Sequence, residues 1–462
     1  MKVLLVIYDN ISYIHWFPQG LAYIAAVLLK AGHEVEIYSQ DMHHYTEEHL
    51  TEYLNNNKFD VIGMGITAGY WQYRKMQKIS DAINRSDNRP FYIMGGHGPT
   101  PEPEFYIRKT GANAIVMGEG EITIVELLTA LEEKKPLSSV KGIAYSEKGE
   151  VKVNERNPLI KDIDTMPMPA YELFPMEYYR LMRKPHATNE DFVMSVISGR
   201  GCLFKCNFCY RMDEGFRPRS SESIVDEVMM LKEKYGITYI DFYDELLMSS
   251  PERTIKLCET FIKRKMNMKW CCSGRLNHAK PEVLKIMKRA GCVFINYGIE
   301  SMDNVVLKNM RKGLTDNIII KGIEATLELG ISPGLNMMFG NFGDNKDTLN
   351  KAVDFLIKYD DGAQVRTIRP VTPYPGTPLY EYALEKGMIK DCEDFYENKH
   401  TNSDLLSVNF TDMSDDDFYR CLMDANRRLL TNYHNKQMTS MLKQTEDLYV
   451  KRDASFRGFR QS

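Results

Sequence analysis

Three cysteines, Cys202, Cys206 and Cys209, stand at C-x3-C-x2-C spacing within Gly201-Cys202-Leu203-Phe204-Lys205-Cys206-Asn207-Phe208-Cys209-Tyr210. Three thiolates on one short loop can take three irons of a [4Fe–4S] cluster and leave the fourth iron open. Zinc is the rival metal, but structural zinc closes with four ligands, and no fourth cysteine or histidine is near in sequence. None of the nine cysteines precedes Cys202. A secreted disulfide scaffold would spread them through a far smaller chain, so the cluster indicates a metal or redox site in a reducing compartment. Cys258, Cys271, Cys272 and Cys292 are expected to pack rather than form a second cluster. Buried free cysteine is ordinary core filling, and neighbours on a strand face opposite ways.

Glycine gathers at the ends of three apolar runs: Gly63 and Gly65 before Thr67, Gly95-Gly96-His97-Gly98, and Gly118-Glu119-Gly120. At strand ends glycine lets a ligand approach the backbone. Three such ends in one sheet point to a large, flat ligand. No G-x-G-x-x-G follows the first run, so a nucleotide is the weaker reading.

The elements that must position these residues form two series. In the first, strands at 2–8, 35–38, 61–66, 91–94 and 114–117 alternate with helical spacing at 18–31, 46–55, 70–84, 101–109 and 121–133, which predicts a doubly wound, Rossmann-like parallel sheet over 1–140. A connector follows over 141–190, with a hairpin around Gly149 and the run Met166-Pro167-Met168-Pro169. The second series, 191–372, places strands at 193–198, 239–243, 270–273, 293–299, 334–339 and 365–368 between helices at 221–235, 251–266, 281–290, 315–329 and 345–358. Six strands and five helices fit a partial (β/α)6 barrel of TIM type, with its site at the strand carboxyl ends. Residues 373–462 form a mixed or helical segment expected to close the barrel and shape the substrate site.

With these pieces in place, the chain resembles the radical S-adenosylmethionine (SAM) superfamily, in its cobalamin-associated branch of anaerobic magnesium-protoporphyrin cyclase-like enzymes and cobalamin-dependent methyltransferases. The cysteine loop closes the first barrel strand, and Asp241-Phe242-Tyr243-Asp244-Glu245 is similar to the acidic motif ending the second. Ser273-Gly274-Arg275 and the stretch to Gly291-Cys292 resemble the run "R…PELL…M…AGC". Tyr297-Gly298-Ile299-Glu300-Ser301 resembles "GIES", and Met338 to Gly343 resembles "GLPGET" with Asn341 and Phe342 for Leu-Pro and Asp344 for Glu. Residues 18–26, 95–100 and 118–121 resemble cobalamin-domain motifs. The resemblance implies three cofactors: a [4Fe–4S] cluster on Cys202, Cys206 and Cys209, SAM, and cobalamin. Asp244 and Glu245 would hold the SAM ammonium, Arg275 its carboxylate or ribose, Glu300 the ribose hydroxyls, and Phe208 the adenine. Cobalamin would lie on Gly63, Gly65, Thr67, Gly95, Gly96, His97, Gly118 and Glu119. No D-x-H-x-x-G motif follows the first strand: Asp9 to Tyr13 stand there, and Asp41-Met42-His43 is a partial match with Thr46 in place of glycine. No loop histidine is thus offered to cobalt, although His15 and Trp16 could face the cofactor.

The implied reaction is reductive cleavage of SAM to a 5′-deoxyadenosyl radical, then methylation of an unactivated carbon or phosphorus of a small-molecule substrate. Cyclisation or ring rearrangement without net methylation is the alternative within the branch. A methylthiotransferase would need three N-terminal cysteines, and a cobalamin carrier would not need the barrel motifs. An external donor such as flavodoxin or ferredoxin would supply electrons. Across 462 residues the net charge is −4, with 43% hydrophobic and 26% charged residues. That charge gives no basic field for nucleic acid. No run approaches the roughly 18 apolar residues of a transmembrane segment, and the expected location is cytoplasmic.

Overall fold

The computed structural model describes residues 1–11, 16–453 and 455. In the first unit, strands β1 (Lys2–Ile7), β2 (Glu34–Ser39), β3 (Val61–Gly65), β4 (Phe91–Gly95) and β5 (Ala114–Val116) pair in parallel. The strands β1, β3, β4 and β5 are buried on both faces. Val3, Leu5 and Ile93 pack with the helices Gln19–Lys30 and Gly120–Glu132, while Leu4, Val6, Ile62 and Met64 pack with those at Glu47–Asn56, Tyr70–Asn84 and Pro103–Thr110. The hairpin around Gly149, expected in the connector, is β6 (Ile143–Glu147) and β7 (Glu150–Val153). It extends this sheet antiparallel from β5, giving the order β2-β1-β3-β4-β5-β6-β7. The strand order reverses between β1 and β3, so a crevice opens at their carboxyl ends.

The second unit starts with β8 (Val193–Val196). Next come β9 (Gly199–Cys202) and β10 (Gly215–Pro218), a short antiparallel hairpin that clasps the base of the cysteine loop. Then follow β11 (Tyr239–Phe242), β12 (Lys269–Gly274), β13 (Cys292–Glu300), β14 (Ser332–Phe339) and β15 (Arg369–Pro370). β8 and β11–β15 form one parallel half-barrel in the order β15-β14-β13-β12-β11-β8. Cys272 and Cys292 belong to its convex, helix-covered core and Cys271 to the concave cluster, so the adjacent pair does face opposite ways.

One strand lies off its expected place. The sequence pattern put the sixth strand at 365–368, but the ladder forms at Arg369–Pro370. Asn426, on the long helix Asp415–Tyr449, donates to the Ile368 carbonyl at 3.0 Å and accepts from its N–H at 2.8 Å. Arg366 is drawn to Asp360 and to the Pro333 carbonyl. A side chain far along the chain thus takes the backbone groups a strand would have used.

The C-terminal segment joins both units. Tyr380, Phe395 and Tyr396 enter the core of the first unit, where Tyr396 stacks on Tyr73 at 4.4 Å. Glu397 pairs there with Arg74 at 2.6 Å and Lys109 at 3.0 Å. The long helix lies on the barrel side, burying Phe418, Leu422, Ala425 and Leu429 and stacking Phe418 on Phe339. No described helix is long and apolar enough to cross a membrane.

Candidate functional site

The strand ends of the two units face one cavity of about 570 Å³. Gly63, Gly65, Gly95, Gly96, His97, Gly118 and Glu119 line it from the first unit, and Arg200, Tyr243, Asp244 and Glu245 from the second. Leu5 and Ile93 of the sheet and Ile24 and Ile124 of two helices add an apolar part to its lining. The glycines do different work. At Gly65 a Cβ would meet only Leu21, 3.8 Å away, so the floor is bare because no side chain is there. Gly96 has φ +100° and would drive a Cβ to 2.6 Å from the Ile66 carbonyl oxygen, so the turn itself requires glycine. At Gly118, φ +80°, the Arg156 guanidinium fills the space. Thr67 is exposed beside the Tyr8 phenol and does not line the cavity.

Glu119 is occupied. Its carboxylate takes Arg217 in a two-pronged pair at 2.8 and 3.0 Å and Arg200 at 2.9 Å, and it accepts the Ile160 N–H. These partners hold its carboxyl below the usual range against the effect of burial. Arg200 also reaches Glu121. Glu119 therefore clamps the first unit onto the β9–β10 hairpin at the cavity wall. His97 sits edge-on to Tyr210 at 5.9 Å, and burial lowers its pKa. His44 is turned to Asp9 at 2.9 Å, and neither it nor His43 lines the cavity. His15 lies outside the described residues.

The cysteine loop hangs from β9. Gly201, φ +84°, faces the Gly215 carbonyl too closely for any side chain, and Asn207 ties the loop to the Met310 carbonyl and the Leu379 N–H. Cys206 is buried, Cys202 half-buried and Cys209 exposed. Burial raises the pKa of the Cys202 thiol. Metal binding here must therefore displace protons. Among the described residues no three Cys, His, Asp or Glu converge closely enough for one ion. One zinc would draw its thiolates to about 2.3 Å from a single centre. A four-iron cluster instead offers each of the three neighbouring thiolates its own iron and leaves the fourth iron open.

Around the loop stand the charged residues of the strand ends. Arg275 lays its guanidinium over Phe204, 3.4 Å from the ring centre, and donates to the Lys312 carbonyl. Glu300, at a bulge of β13 with φ +73°, pairs with buried Lys312 at 2.9 Å, and that ammonium lies 5.5 Å from the Phe208 ring. A left-handed non-glycine residue in a strand is strained, and strain of this kind collects at functional sites. Asp244 is buried with both oxygens on Ser198, from the N–H at 2.8 Å and the hydroxyl at 2.7 Å. Burial raises its pKa against those bonds. Glu245 makes no hydrogen bond or ion pair among the described residues and opens into the cavity; burial, with Asp244 next to it, raises its pKa. Lys312, Arg200 and Arg217 were missed in the sequence. Two of them border glycine or cysteine motifs, and a basic residue beside such a motif was the available signal.

Fold and site together define a two-unit enzyme with a three-thiol cluster loop facing a cavity floored by glycine. Residues 196–356 match the model of the radical SAM superfamily and residues 9–128 that of the B12 binding domain. A protein named as an uncharacterized methyltransferase of Pyrococcus horikoshii is 30% identical over 400 residues, 84% of each chain. The anaerobic magnesium-protoporphyrin IX monomethyl ester cyclase of Rubrivivax gelatinosus is 24% identical over 82% of this chain and 69% of its own. The methyltransferase TsrM of Kitasatospora setae, solved with cobalamin and a [4Fe-4S] cluster, superposes with a TM-score of 0.75 at 18% identity, over 92% of this chain and 88% of that one. The chain belongs to the radical SAM superfamily, in the group whose barrel follows a B12-binding domain.

Proposed function

We propose that the protein is a cobalamin-dependent radical SAM methyltransferase of a small-molecule substrate. The observation that carries this is the single cavity shared by the bare glycine floor and the free carboxylate Glu245 at the barrel rim. When bound, the cluster supplies the electron that cleaves SAM, and cobalamin supplies the methyl group.

The chain's residues do the positioning. Cys202, Cys206 and Cys209 hold three irons. Glu245 receives the SAM ammonium, and Asp244, engaged by Ser198, fixes the turn that presents it. Arg275 and the Glu300–Lys312 pair face the SAM carboxylate and ribose, with Phe208 beside the adenine. Gly63, Gly65, Gly95 and Gly96 seat the cofactor face, and the Glu119 clamp keeps the two strand-end surfaces opposed. Per methylation, the substrate, two SAM and two electrons give methylated product, methionine, 5′-deoxyadenosine and S-adenosylhomocysteine. The electrons come from an external one-electron donor of the flavodoxin or ferredoxin kind. Nine unpaired thiols suit the reducing cytoplasm.

The test is anaerobic turnover with trideuteromethyl-SAM and a chemical reductant. A product heavier by one labelled methyl supports transfer. A product altered by ring closure or rearrangement, with no label, would replace methylation by cyclisation.

A further inference from the structure

We propose that the substrate is a small, water-soluble molecule whose deep end donates a hydrogen bond to Asp241 and Ser195 on the inward face of the half-barrel. This rests on the radical-enzyme reading above and adds the substrate class. The lumen's chemistry follows from register. Ser195, Asp241, Cys271 and Phe294 are paired side by side across β8, β11, β12 and β13. Two residues nearer the mouth, Ser273, Asn296 and Gly334 form the next level, and Gly298 and Asn336 the one above. Side chains alternate along each strand. The convex residues Ile240, Trp270, Cys272 and Ile295 pack with the helices, so the other set faces inward.

That inner face is polar where a purely structural barrel would be filled with branched apolar side chains. Ser195 is 1% exposed, and its hydroxyl has no partner among the described residues. An unmet buried hydroxyl is costly unless a ligand or water meets it. Beside it Asp241 accepts from the Cys271 thiol at 3.2 Å and faces the Lys184 ammonium at 2.8 Å. Lys184 lies 3.9 Å from the ring centre of Trp16, which leans on Tyr243 at 5.3 Å. Ser273, Asn296 and Asn336 make no side-chain hydrogen bond among the described residues. Asn336 is exposed although it sits in mid-strand between buried Leu335 and Met337, so the upper level of the lumen is accessible. Met182, Val193 and Tyr239 close its floor. Tyr243, on the same inward row as Asp241, also lines the shared cavity, so the lumen opens beneath the cofactor surfaces. A hydroxyl or amine donating to Asp241 and Ser195, followed by groups that meet Ser273, Asn296 and Asn336, matches this ladder. A hydrocarbon would leave each of these groups unpaired.

The experiment offers the reconstituted full chain, with trideuteromethyl-SAM, the water-soluble and the chloroform-soluble fractions of one extract of its source cells. Labelled product is expected in the water-soluble fraction. In Asp241→Asn and Asn336→Leu, at matched iron and cobalamin content, KM for the purified acceptor should rise about tenfold or more. Asn336→Leu guards against misfolding, since its side chain is exposed and makes no hydrogen bond among the described residues. Labelled product in the chloroform fraction overturns the substrate class, and a water-soluble product formed equally well by both variants overturns Asp241 and Asn336 as substrate contacts. An unlabelled but altered water-soluble product that both variants lose would sink methyl transfer and leave these contacts standing. No altered compound in either fraction overturns both.

Discussion

Replacing Gly65 by alanine should strengthen the free protein and weaken its hold on cobalamin. Gly65 ends β3 with an ordinary backbone, and its added methyl would meet only Leu21, at 3.8 Å. Glycine in a strand costs about 0.5–1 kcal/mol relative to alanine through its unfolded freedom, so the free chain should gain up to that amount. The same methyl stands on the floor of the 570 Å³ cavity. A rigid ligand lying on that floor must retreat or strain, at about 1–3 kcal/mol for one overpacked methylene, which is about 5- to 150-fold in Kd. Urea unfolding of the free chain and equilibrium binding of hydroxocobalamin give the two numbers, with iron content as a control. Cobalamin affinity unchanged in a stable Gly65→Ala chain would refute the seating of the cofactor on this strand end.

The neighbouring glycine should behave in the opposite way. Gly96→Ala, at φ +100° and 2.6 Å from the Ile66 oxygen, should cost the free chain about 2 kcal/mol or more; a chain as stable as the parent contradicts the turn geometry. Glu119→Gln removes the charge that Arg200 and Arg217 share at 11–17% exposure, and should cost about 2–4 kcal/mol in urea unfolding. An unaltered midpoint and slope would show that the clamp contributes nothing. His400 is fully buried, and burial holds its pKa at about 4, below the unfolded value near 6.5. The unfolded chain therefore binds the proton first, and stability falls as pH drops from about 6.5 to about 4, by about 3 kcal/mol in all. Asp344, raised to about 6 by burial, acts with the opposite sign, so the comparison is between parent and His400→Phe at each pH. The variant should lose about 2 kcal/mol less than the parent between pH 7.5 and 5, and equal losses would refute the assignment.

What the sequence made legible is local. The helix Tyr70–Asn84 and the five buried runs of the first sheet were readable because apolar period and glycine or proline boundaries act within a few residues. The cysteine loop was readable because ligand spacing is itself the signal. Relations across the chain were not. Glu119 carries no mark of its bonds to Arg200 and Arg217, 81 and 98 residues away, so its place on the cavity wall was legible and its role as a clamp was not. Asp244 and Glu245 are adjacent and alike in sequence, yet Ser198 takes one and leaves the other free. β15 lies beyond its expected position because Asn426 claims Ile368, and no local pattern encodes that. The polar lumen needed register: Ser195, Asp241 and Asn296 lie in three expected strands, but nothing in the sequence shows that they share one face until the strands are aligned.

The central claim is that one chain holds an iron–sulfur cluster on three thiols and a cobalamin on the facing sheet. Its most direct test is the cofactor content of anaerobically reconstituted protein, read beside the variant in which Cys202, Cys206 and Cys209 are all alanine. The parent should bind about four irons and one cobalamin per chain and release 5′-deoxyadenosine from SAM on reduction. The triple variant should lose the iron and the 5′-deoxyadenosine while keeping the cobalamin. A triple variant that still cleaves SAM, or a parent that binds iron but no cobalamin, would contradict the account.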